Sequence, residues 1–464
     1  MKNDYLTRLR DGEQLTLGNQ LAMVAQLSLP AIMAQISSIV MQYIDASMVG
    51  RLGSEQSASI GLVASSTWLF GGLCSAVYAG FTVLAAQSIG AKDEKNARQL
   101  MKESLCVSFL FALFMGTLGA VLSPVWPKWL GGGADIVQDA SRYFLIYALF
   151  LPVVHLSNSA GAMLQASGNM KTPSVLHVLM CLLDVVFNLL LIFPESHVLG
   201  FRIPGANLGV TGAALGTALA QAVVMVLMLF ALLVRSPLLH LRKGEGLHFK
   251  KQHLTSSIRI SVPVALESMV MSGAQVLSTG IVAPLGTVSI AANSFAVTAE
   301  SFCYMPGYGI GSASSTIIGQ SIGAKRHDLT KKLGWINIIL GMAVMTVTGA
   351  LMYLLAPVMI GLLSPDPAVV ALGTKILRIE AFAEPFYAAS IVASGVFRGA
   401  GDTLKPGLLN LCSMWLVRLP LAALLAPRIG LTGVWIAMAL ELTARGTLFL
   451  IRMVRGKWMK KVIL

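Results

Sequence analysis

Long apolar runs, each able to cross a lipid bilayer as a helix, follow one another along almost the whole chain. Of the 464 residues, 55% are hydrophobic and only 12% are charged, and the mean hydropathy is +0.74. Soluble domains carry about 25% charged residues, whereas a hydrocarbon core about 30 Å thick needs about 20 apolar residues per helix. The pattern predicts an all-α membrane protein with twelve transmembrane helices. The predicted spans are residues 21–47, 58–86, 103–125, 141–165, 173–194, 209–234, 256–284, 291–319, 333–361, 372–396, 406–427 and 431–452.

The basic residues predict how these spans are oriented. Most of the 34 Lys and Arg residues, which help to give a net charge of +13, lie at the N-terminus, in alternate loops and at the C-terminus. The largest clusters are at 92–102, 235–259, 325–332 and 452–461. Because basic residues concentrate in cytoplasmic loops, both termini are predicted to be cytoplasmic. The distribution indicates a membrane as the partner and argues against nucleic acid.

The chain contains one pattern twice. The segment Gln87–Lys92, with the sequence QSIGAK, returns as Gln320–Lys325, and Pro30 returns as Pro263 at the same offset of 233 residues. Six spans bring a chain back to the side where it began, so both copies have the same orientation. Parallel repeats are a transporter design in which the site lies between the repeats. The repeat therefore predicts two pseudo-symmetric six-helix lobes. The expected division is an N-lobe at 1–234, a basic cytoplasmic linker at 235–255 and a C-lobe at 256–464.

Several motifs, taken with their order and duplication, carry a family resemblance. Pro30 is followed by Asp45 and by VGRLG at 49–53, and a later segment, QASGNMKTP, ends at Pro173. FRGAGDT occupies 397–403 in the second half, and QSIGAK occurs in both halves. With these motifs the chain resembles the multidrug and toxic compound extrusion (MATE) transporters over nearly its whole length. The resemblance implies a V-shaped pair of lobes and a secondary antiporter. Such a protein exports amphipathic, often cationic, compounds in exchange for Na+ or H+.

The expected partners follow from this resemblance and from the motifs that the sequence lacks. Paired nucleophile and base motifs, metal-ligand motifs and nucleotide-binding motifs are absent from the sequence, so no enzyme activity and no cofactor beyond the coupling ion are predicted. The expected partners are small amphipathic or cationic organic molecules, a monovalent cation and the lipid bilayer. A monomer in the bacterial inner membrane is the expected state. The alternatives are a flippase for lipid-linked substrates and, less favoured, a channel or an intramembrane enzyme.

Ionisable residues inside the predicted spans are candidate functional groups, because a charge at lipid depth is costly. Asp184 and Asn188 are four residues apart, which places both on one face of the fifth predicted helix. Their oxygens could coordinate Na+, or Asn188 could hydrogen-bond Asp184 and tune its proton affinity; a structural bridge between helices is the alternative. The resemblance adds Asp45 of helix one as a cation-coupling residue and Thr217 of helix six as a sodium ligand. In the related sodium sites Asn precedes Asp, whereas here Asp184 comes first.

The second half carries a different set of polar residues. The resemblance assigns Glu267 to the position of a coupling glutamate, and it assigns the aspartate of other branches to the vicinity of Tyr387, about one turn from Glu384. Arg418 needs an anionic partner in an apolar environment, which Glu267 or Glu300 could supply. We therefore expect these five residues to form an ion or substrate site in the C-lobe, or in part a structural ion-pair cluster.

Overall fold

Long helices make up most of the protein, whose computed structural model describes residues 5–198, 201–242 and 244–460. Residues 1–4, 199–200, 243 and 461–464, which fall within the predicted lobes and linker, lie outside the described residues. The α-helices are α1 (Tyr5–Arg10), α2 (Leu17–Gly50), α3 (Ser54–Gly90), α4 (Glu94–Leu122), α5 (Trp126–Trp129), α6 (Val137–Ala166), α7 (Lys171–Leu191), α8 (Gly209–Phe230), α9 (Lys251–Val282), α10 (Thr287–Gly323), α11 (His327–Leu363), α12 (Pro367–Glu380), α13 (Glu384–Gly399), α14 (Leu404–Cys412), α15 (Leu419–Ile429) and α16 (Leu431–Arg455).

All twelve predicted spans fall on helices, which confirms the predicted fold class. Within the described residues, ten helical stretches are long and apolar enough to cross a membrane. The other two predicted spans correspond to α10 and to the pair α12 and α13. α12 and α13 have only 14 and 16 residues, because the break at 381–383 divides this span. α10 contains the buried acid Glu300 together with many glycine and serine residues, which lower its apolar content.

Two spans that were predicted to be continuous are irregular. The span at 372–396 is interrupted at 381–383, between α12 and α13, just before Pro385. The span at 406–427 contains a π-helical turn at Ser413–Arg418, just before Pro420. Proline has no backbone N–H and disfavours the helical conformation in the residue before it. The two prolines therefore explain why neither helix runs straight through.

A small antiparallel hairpin, which the sequence analysis did not predict, follows α7. Its strands are β1 (Glu195–Val198) and β2 (Phe201–Pro204), with Glu195 opposite Pro204. β1 has the sequence ESHV, which lacks the alternation of apolar and polar residues that predicts a strand. The hairpin lies in the loop between α7 and α8.

The described residues form two compact units. Unit 1 takes in the described residues of Met1–Ile36, Ala86–Asp93 and Leu266–Leu464, and unit 2 takes in those of Ser37–Ala85 and Glu94–Ala265. The lobe boundaries drawn from the repeat stay a prediction.

Glycine allows the helices of each unit to approach closely. In unit 2, a Cβ atom on Gly116 of α4 would lie 2.5 Å from the carbonyl oxygen of Ala148 in α6. In unit 1, a Cβ atom on Gly395 of α13 would lie 2.1 Å from the carbonyl oxygen of Gly311 in α10. No other side chain fits at these positions without moving backbone, so the helices pack at the short distances typical of membrane bundles.

The duplicated QSIGAK segments meet inside unit 1. A Cβ atom on Gly90 would lie 2.1 Å from the carbonyl oxygen of Gln320, and one on Gly323 would lie 2.0 Å from the carbonyl oxygen of Gln87. The amide of Gln87 also donates to the carbonyl oxygen of Gly399, over 3.2 Å. The repeat therefore produces a reciprocal contact, in which each copy supplies the glycine that accommodates the other.

Candidate functional site

Three of the predicted coupling residues meet in unit 2, between α2 and α7. The side-chain nitrogen of Asn188 donates to Asp45 over 2.9 Å and to Asp184 over 3.1 Å. The two carboxyl groups also interact directly with each other. Asp184 is 0% exposed and Asn188 is 1% exposed, whereas Asp45 is only half-buried. One amide thus holds two acidic groups, one deep in the unit and one nearer its surface.

The two acids of this cluster have no basic partner among the described residues. Neither Asp45 nor Asp184 forms an ion pair with a described Lys, Arg or His. One oxygen of Asp184 and the side-chain oxygen of Asn188 are buried without a hydrogen-bond partner. Two adjacent carboxylates repel each other unless a cation or a proton lies between them. The unpartnered oxygens are therefore suitable acceptors for such a cation.

Gly216 of α8 packs against the side chain of Asn188, a contact that was not predicted from the sequence. A Cβ atom on Gly216 would lie 2.1 Å from the side-chain oxygen of Asn188. The next residue, Thr217, was predicted as a ligand, but its hydroxyl donates to the carbonyl oxygen of Ala213 over 3.2 Å. The structure thus brings Asp45, Asp184 and Asn188 together and turns the hydroxyl of Thr217 to its own helix.

Two more neighbours of the cluster were also missed. Tyr143 of α6 lies close enough to interact electrostatically with both Asp45 and Asp184. Cys181 of α7 donates from its thiol to the carbonyl oxygen of Ser37 over 3.1 Å, which fastens α7 to α2. Tyr143 is far from these residues in sequence, and no spacing rule connects α6 to them. Only the packing of the helices reveals this environment.

Unit 1 contains a second group of buried acids. Glu300 is 5% exposed, and Glu380, Glu384 and Glu441 are each 0% exposed. Both side-chain oxygens of Glu380 are buried without a hydrogen-bond partner. Glu380 and Glu384 lie on either side of the break between α12 and α13. Interrupted helices of this kind supply binding groups in many transporters.

One buried ion pair lies beside these acids. Glu441 pairs with Arg445 over 3.2 Å and accepts a hydrogen bond of 2.5 Å from Ser413. The guanidinium carbon of Arg445 lies 5.4 Å from the ring centre of Tyr387. The ring of Tyr387 in turn lies 5.6 Å from that of Tyr304. Tyr387 therefore stands between the ion pair and an aromatic cluster.

Arg418 and Glu267, two further predicted residues, have different partners. Arg418 interacts electrostatically with Glu300 and Glu380, and its guanidinium contacts the sulfur atom of Met438. Glu267 accepts a 2.5 Å hydrogen bond from the amide of Asn410. The structure thus places Glu300 near Arg418 and Glu267 beside Asn410. This region therefore contains more acidic than basic residues: the bases are Arg418 and Arg445, and the acids are Glu300, Glu380, Glu384 and Glu441.

Comparisons with known proteins agree with this architecture. The MatE family model matches the chain twice, at residues 30–190 and 263–424. A probable multidrug resistance protein NorM from Thermotoga maritima is 26% identical over 451 residues, covering 95% of this chain and 93% of that protein. The uncharacterized transporter YisQ of Bacillus subtilis is 23% identical, with 90% of both chains covered.

Solved structures show the same fold. The structure of a variant of the Vibrio cholerae MATE transporter VcmN matches with a TM-score of 0.88 at 17% identity, covering 96% of this chain and 98% of that one. A transporter of the MOP superfamily from Pyrococcus furiosus matches with a TM-score of 0.86 at 19% identity, covering 97% of this chain and 100% of that one. At these identities the likeness concerns the fold alone.

Proposed function

Because the chain belongs to the MATE family of transporters, we propose that it is a secondary antiporter that exports small amphipathic or cationic compounds in exchange for H+ or Na+. Several relatives are named as probable multidrug resistance proteins, which supports toxic organic compounds as the exported class. The excess of acidic over basic groups buried in unit 1 suits a cationic cargo better than the anionic head of a lipid-linked sugar.

The acid cluster of unit 2 is the observation that carries this proposal. Asp45 and Asp184 are held by one amide within hydrogen-bonding distance, and no described basic residue neutralises them. A single bound H+ or Na+ would balance much of the repulsion between them. Asp45 is half-buried and Asp184 is fully buried, so a cation can enter at Asp45 and be retained at Asp184.

Cation binding would drive transport through a difference in affinity between two conformations. The outward-open conformation takes a cation from outside, and binding weakens the hold on a cationic substrate in the same region. A ligand shifts a conformational equilibrium only by its differential affinity for the two states. The role of Asn188 in this scheme is to keep both carboxyl groups at one point, so that one cation neutralises both.

Thr217 and the acids of unit 1 complete the proposed machinery. We propose Thr217 as a further Na+ ligand, a role that requires its hydroxyl to leave the carbonyl oxygen of Ala213. In unit 1 we assign Glu300, Glu384, Arg418 and Tyr387 to a second site for cation or substrate. Glu267, with Asn410 as its partner, belongs to the same set.

The membrane topology belongs to the same proposal. The basic clusters favour cytoplasmic N- and C-termini, and the bacterial relatives favour the inner membrane as the location. We also propose that the protein functions as a monomer, since each chain contains both halves of the duplicated design.

Transport by the purified protein in liposomes tests the proposal. A fluorescent lipophilic cation is followed under an imposed pH gradient, an imposed Na+ gradient or neither. We expect one gradient to accelerate transport in the wild-type protein, and we expect Asp45→Asn and Asp184→Asn to remove that acceleration. Asp135→Asn, which changes an exposed loop residue, serves as the matched control. Gradient-driven transport that persists in both site variants would overturn the assignment.

A further inference from the structure

The connection between α8 and α9 is packed onto unit 2 at the beginning of α4. The sequence predicts that this segment is a basic linker, and such linkers are usually exposed to solvent and flexible. In the structure it comprises the described residues between Arg235, where the π-helical turn after α8 ends, and Lys251, where α9 begins. Its contacts are made with residues of α4 that the proposed transport mechanism does not use.

The first contact joins a buried arginine to an acidic residue of the connection. Arg98 is 3% exposed, and its guanidinium donates two hydrogen bonds to the carboxylate of Glu245, over 2.8 Å and 2.9 Å. The ammonium group of Lys102, one turn further along α4, donates to the backbone carbonyl of Glu245 over 2.5 Å. Two parallel hydrogen bonds between Arg and a carboxylate are the strongest form of a protein ion pair.

The second contact joins a buried acid of α4 to the end of the connection. Glu103 is 0% exposed and lies 3.1 Å from the Nδ1 atom of His253. It also accepts a 3.2 Å hydrogen bond from the backbone N–H of Lys250. Gln99, on the same helix, donates to it over 3.2 Å. Three donors therefore stabilise this carboxylate, and two of them come from a segment about 150 residues away in the chain.

The first turns of α9 continue the same attachment. A Cβ atom on Gly80 of α3 would lie 2.5 Å from the carbonyl oxygen of Ser257. The hydroxyl of Ser261 donates to the carbonyl oxygen of Val77 over 3.3 Å. Accordingly, unit 2 extends through the connection and ends only at Ala265, inside α9.

We propose that Glu245, Lys250 and His253 form a fixed clamp on Arg98 and Glu103, and that this clamp stays closed throughout the transport cycle. The proposal rests on the antiporter function for the cycle itself. Releasing the connection would remove Glu245 from the buried Arg98 and two of the three donors from the buried Glu103, leaving them only Glu94 and Gln99 of α4, which is unfavourable for buried charged groups.

Changes in cellular pH do not open this clamp at Glu245. Its hydrogen bonds to the Arg98 guanidinium lower the pKa of the Glu245 carboxyl to about 2, and the nearby charges of Arg98, Lys102 and Arg242 act in the same direction. A carboxyl whose pKa is depressed by folding keeps its stabilising charge above its ordinary pKa and loses it only as the pH falls towards the lowered value. Glu245 is therefore ionised at every physiological pH.

Hydrogen–deuterium exchange of the full-length protein in liposomes tests the clamp. The peptide that contains Lys250 and His253 is compared at rest and during transport of a fluorescent lipophilic cation under an imposed gradient. We expect slow exchange that is the same in both conditions. Glu245→Ala should accelerate exchange by about tenfold or more, because the segment would open locally. Glu103→Gln provides a second variant, and Lys251→Ala, an exposed residue of the same stretch, is the matched control with unchanged exchange.

Two results would overturn the clamp. One is exchange in the wild-type protein that accelerates during transport to the rate of Glu245→Ala. The other is a Glu245→Ala variant that exchanges as slowly as the wild type. Transport is recorded in the same samples, so a wild-type protein that fails to transport counts against the antiporter function, while the comparison of variants at rest still tests the clamp.

Discussion

A single amide side chain determines the geometry of the acid cluster in unit 2. Asn188 donates to both Asp45 and Asp184, and its own oxygen is turned towards the surface of Gly216. An amide is neutral at all pH values, so it can align two carboxyl groups without taking the place of the cation that would neutralise them. In the proposed mechanism, Asn188 would affect transport through the positions of the two acids.

Replacing Asn188 with leucine tests this positioning role. Leucine has a similar size but donates no hydrogen bond, so the carboxyl groups would separate and bind a cation less well. We expect the initial rate of gradient-driven transport to fall by about tenfold or more, as is typical when a supporting hydrogen bond of an ion site is removed. The rate is measured in liposomes, after gel filtration has verified that the variant is folded. An undiminished rate would contradict the role of Asn188.

Gly216 offers an independent way to displace the same amide. In Gly216→Ala the new methyl group would lie 2.1 Å from the side-chain oxygen of Asn188, so the amide must move away. We expect lower gradient-driven transport in this variant. Gly61→Ala in α3 is the matched control, because a Cβ atom there meets nothing within 4 Å. Equal transport in the two variants would show that the contact is unimportant.

The sequence predicts part of this site and leaves the rest undetermined. The four-residue spacing of Asp184 and Asn188 correctly places them together, and the family resemblance supplies Asp45. Gly216 and Tyr143 were not predicted, because nothing in the sequence tells which faces of α6 and α8 lie against α7. In unit 1 the cost of burying acids indicates Glu300 and Glu384, but their neighbours depend on how α10, α13 and α16 pack.

At the scale of elements, glycine and proline explain most departures from straight, evenly packed helices. Pro385 follows the break between α12 and α13, and Pro420 follows the π-helical turn. Pro30, Pro152 and Pro263, however, lie inside continuous helices, so proline in a span does not by itself predict a break. The reciprocal contact of the QSIGAK segments was not predictable either. The repeat shows that both copies have similar conformations, whereas their mutual contact depends on long-range packing.

Gly90→Ala tests the reciprocal contact. The added methyl group would lie 2.1 Å from the carbonyl oxygen of Gln320, which belongs to helical backbone and cannot move independently. We expect the variant to be destabilised by about 1–3 kcal/mol, as is typical of overpacking, and to show a lower midpoint of thermal unfolding. Gly361→Ala in α11 meets nothing within 4 Å and should match the wild type. An unchanged midpoint for Gly90→Ala would contradict the close contact.

At the scale of the whole molecule, the two halves share one helical pattern but differ in their buried polar residues. The two matches to the family, at 30–190 and 263–424, confirm the repeat that the sequence analysis identified. Nevertheless Asp45 corresponds to Ser278 and Asp184 to Val417 at the repeat offset. The helical frame is repeated in the two halves, whereas their buried acids occupy different positions. Hydrophobic length and repetition therefore predict the fold, while the positions of the charges require the structure.

The release of cations when substrate binds to the purified protein tests the central claim most directly. A lipophilic cation is added to the protein in weakly buffered detergent solution, and released H+ is followed with a pH-sensitive dye and released Na+ with a sodium-selective electrode. We predict that the wild-type protein releases one of these cations, and that the double variant Asp45→Asn with Asp184→Asn binds the substrate but releases less of it. Undiminished release from the double variant would contradict the assignment of the coupling cation to this acid pair.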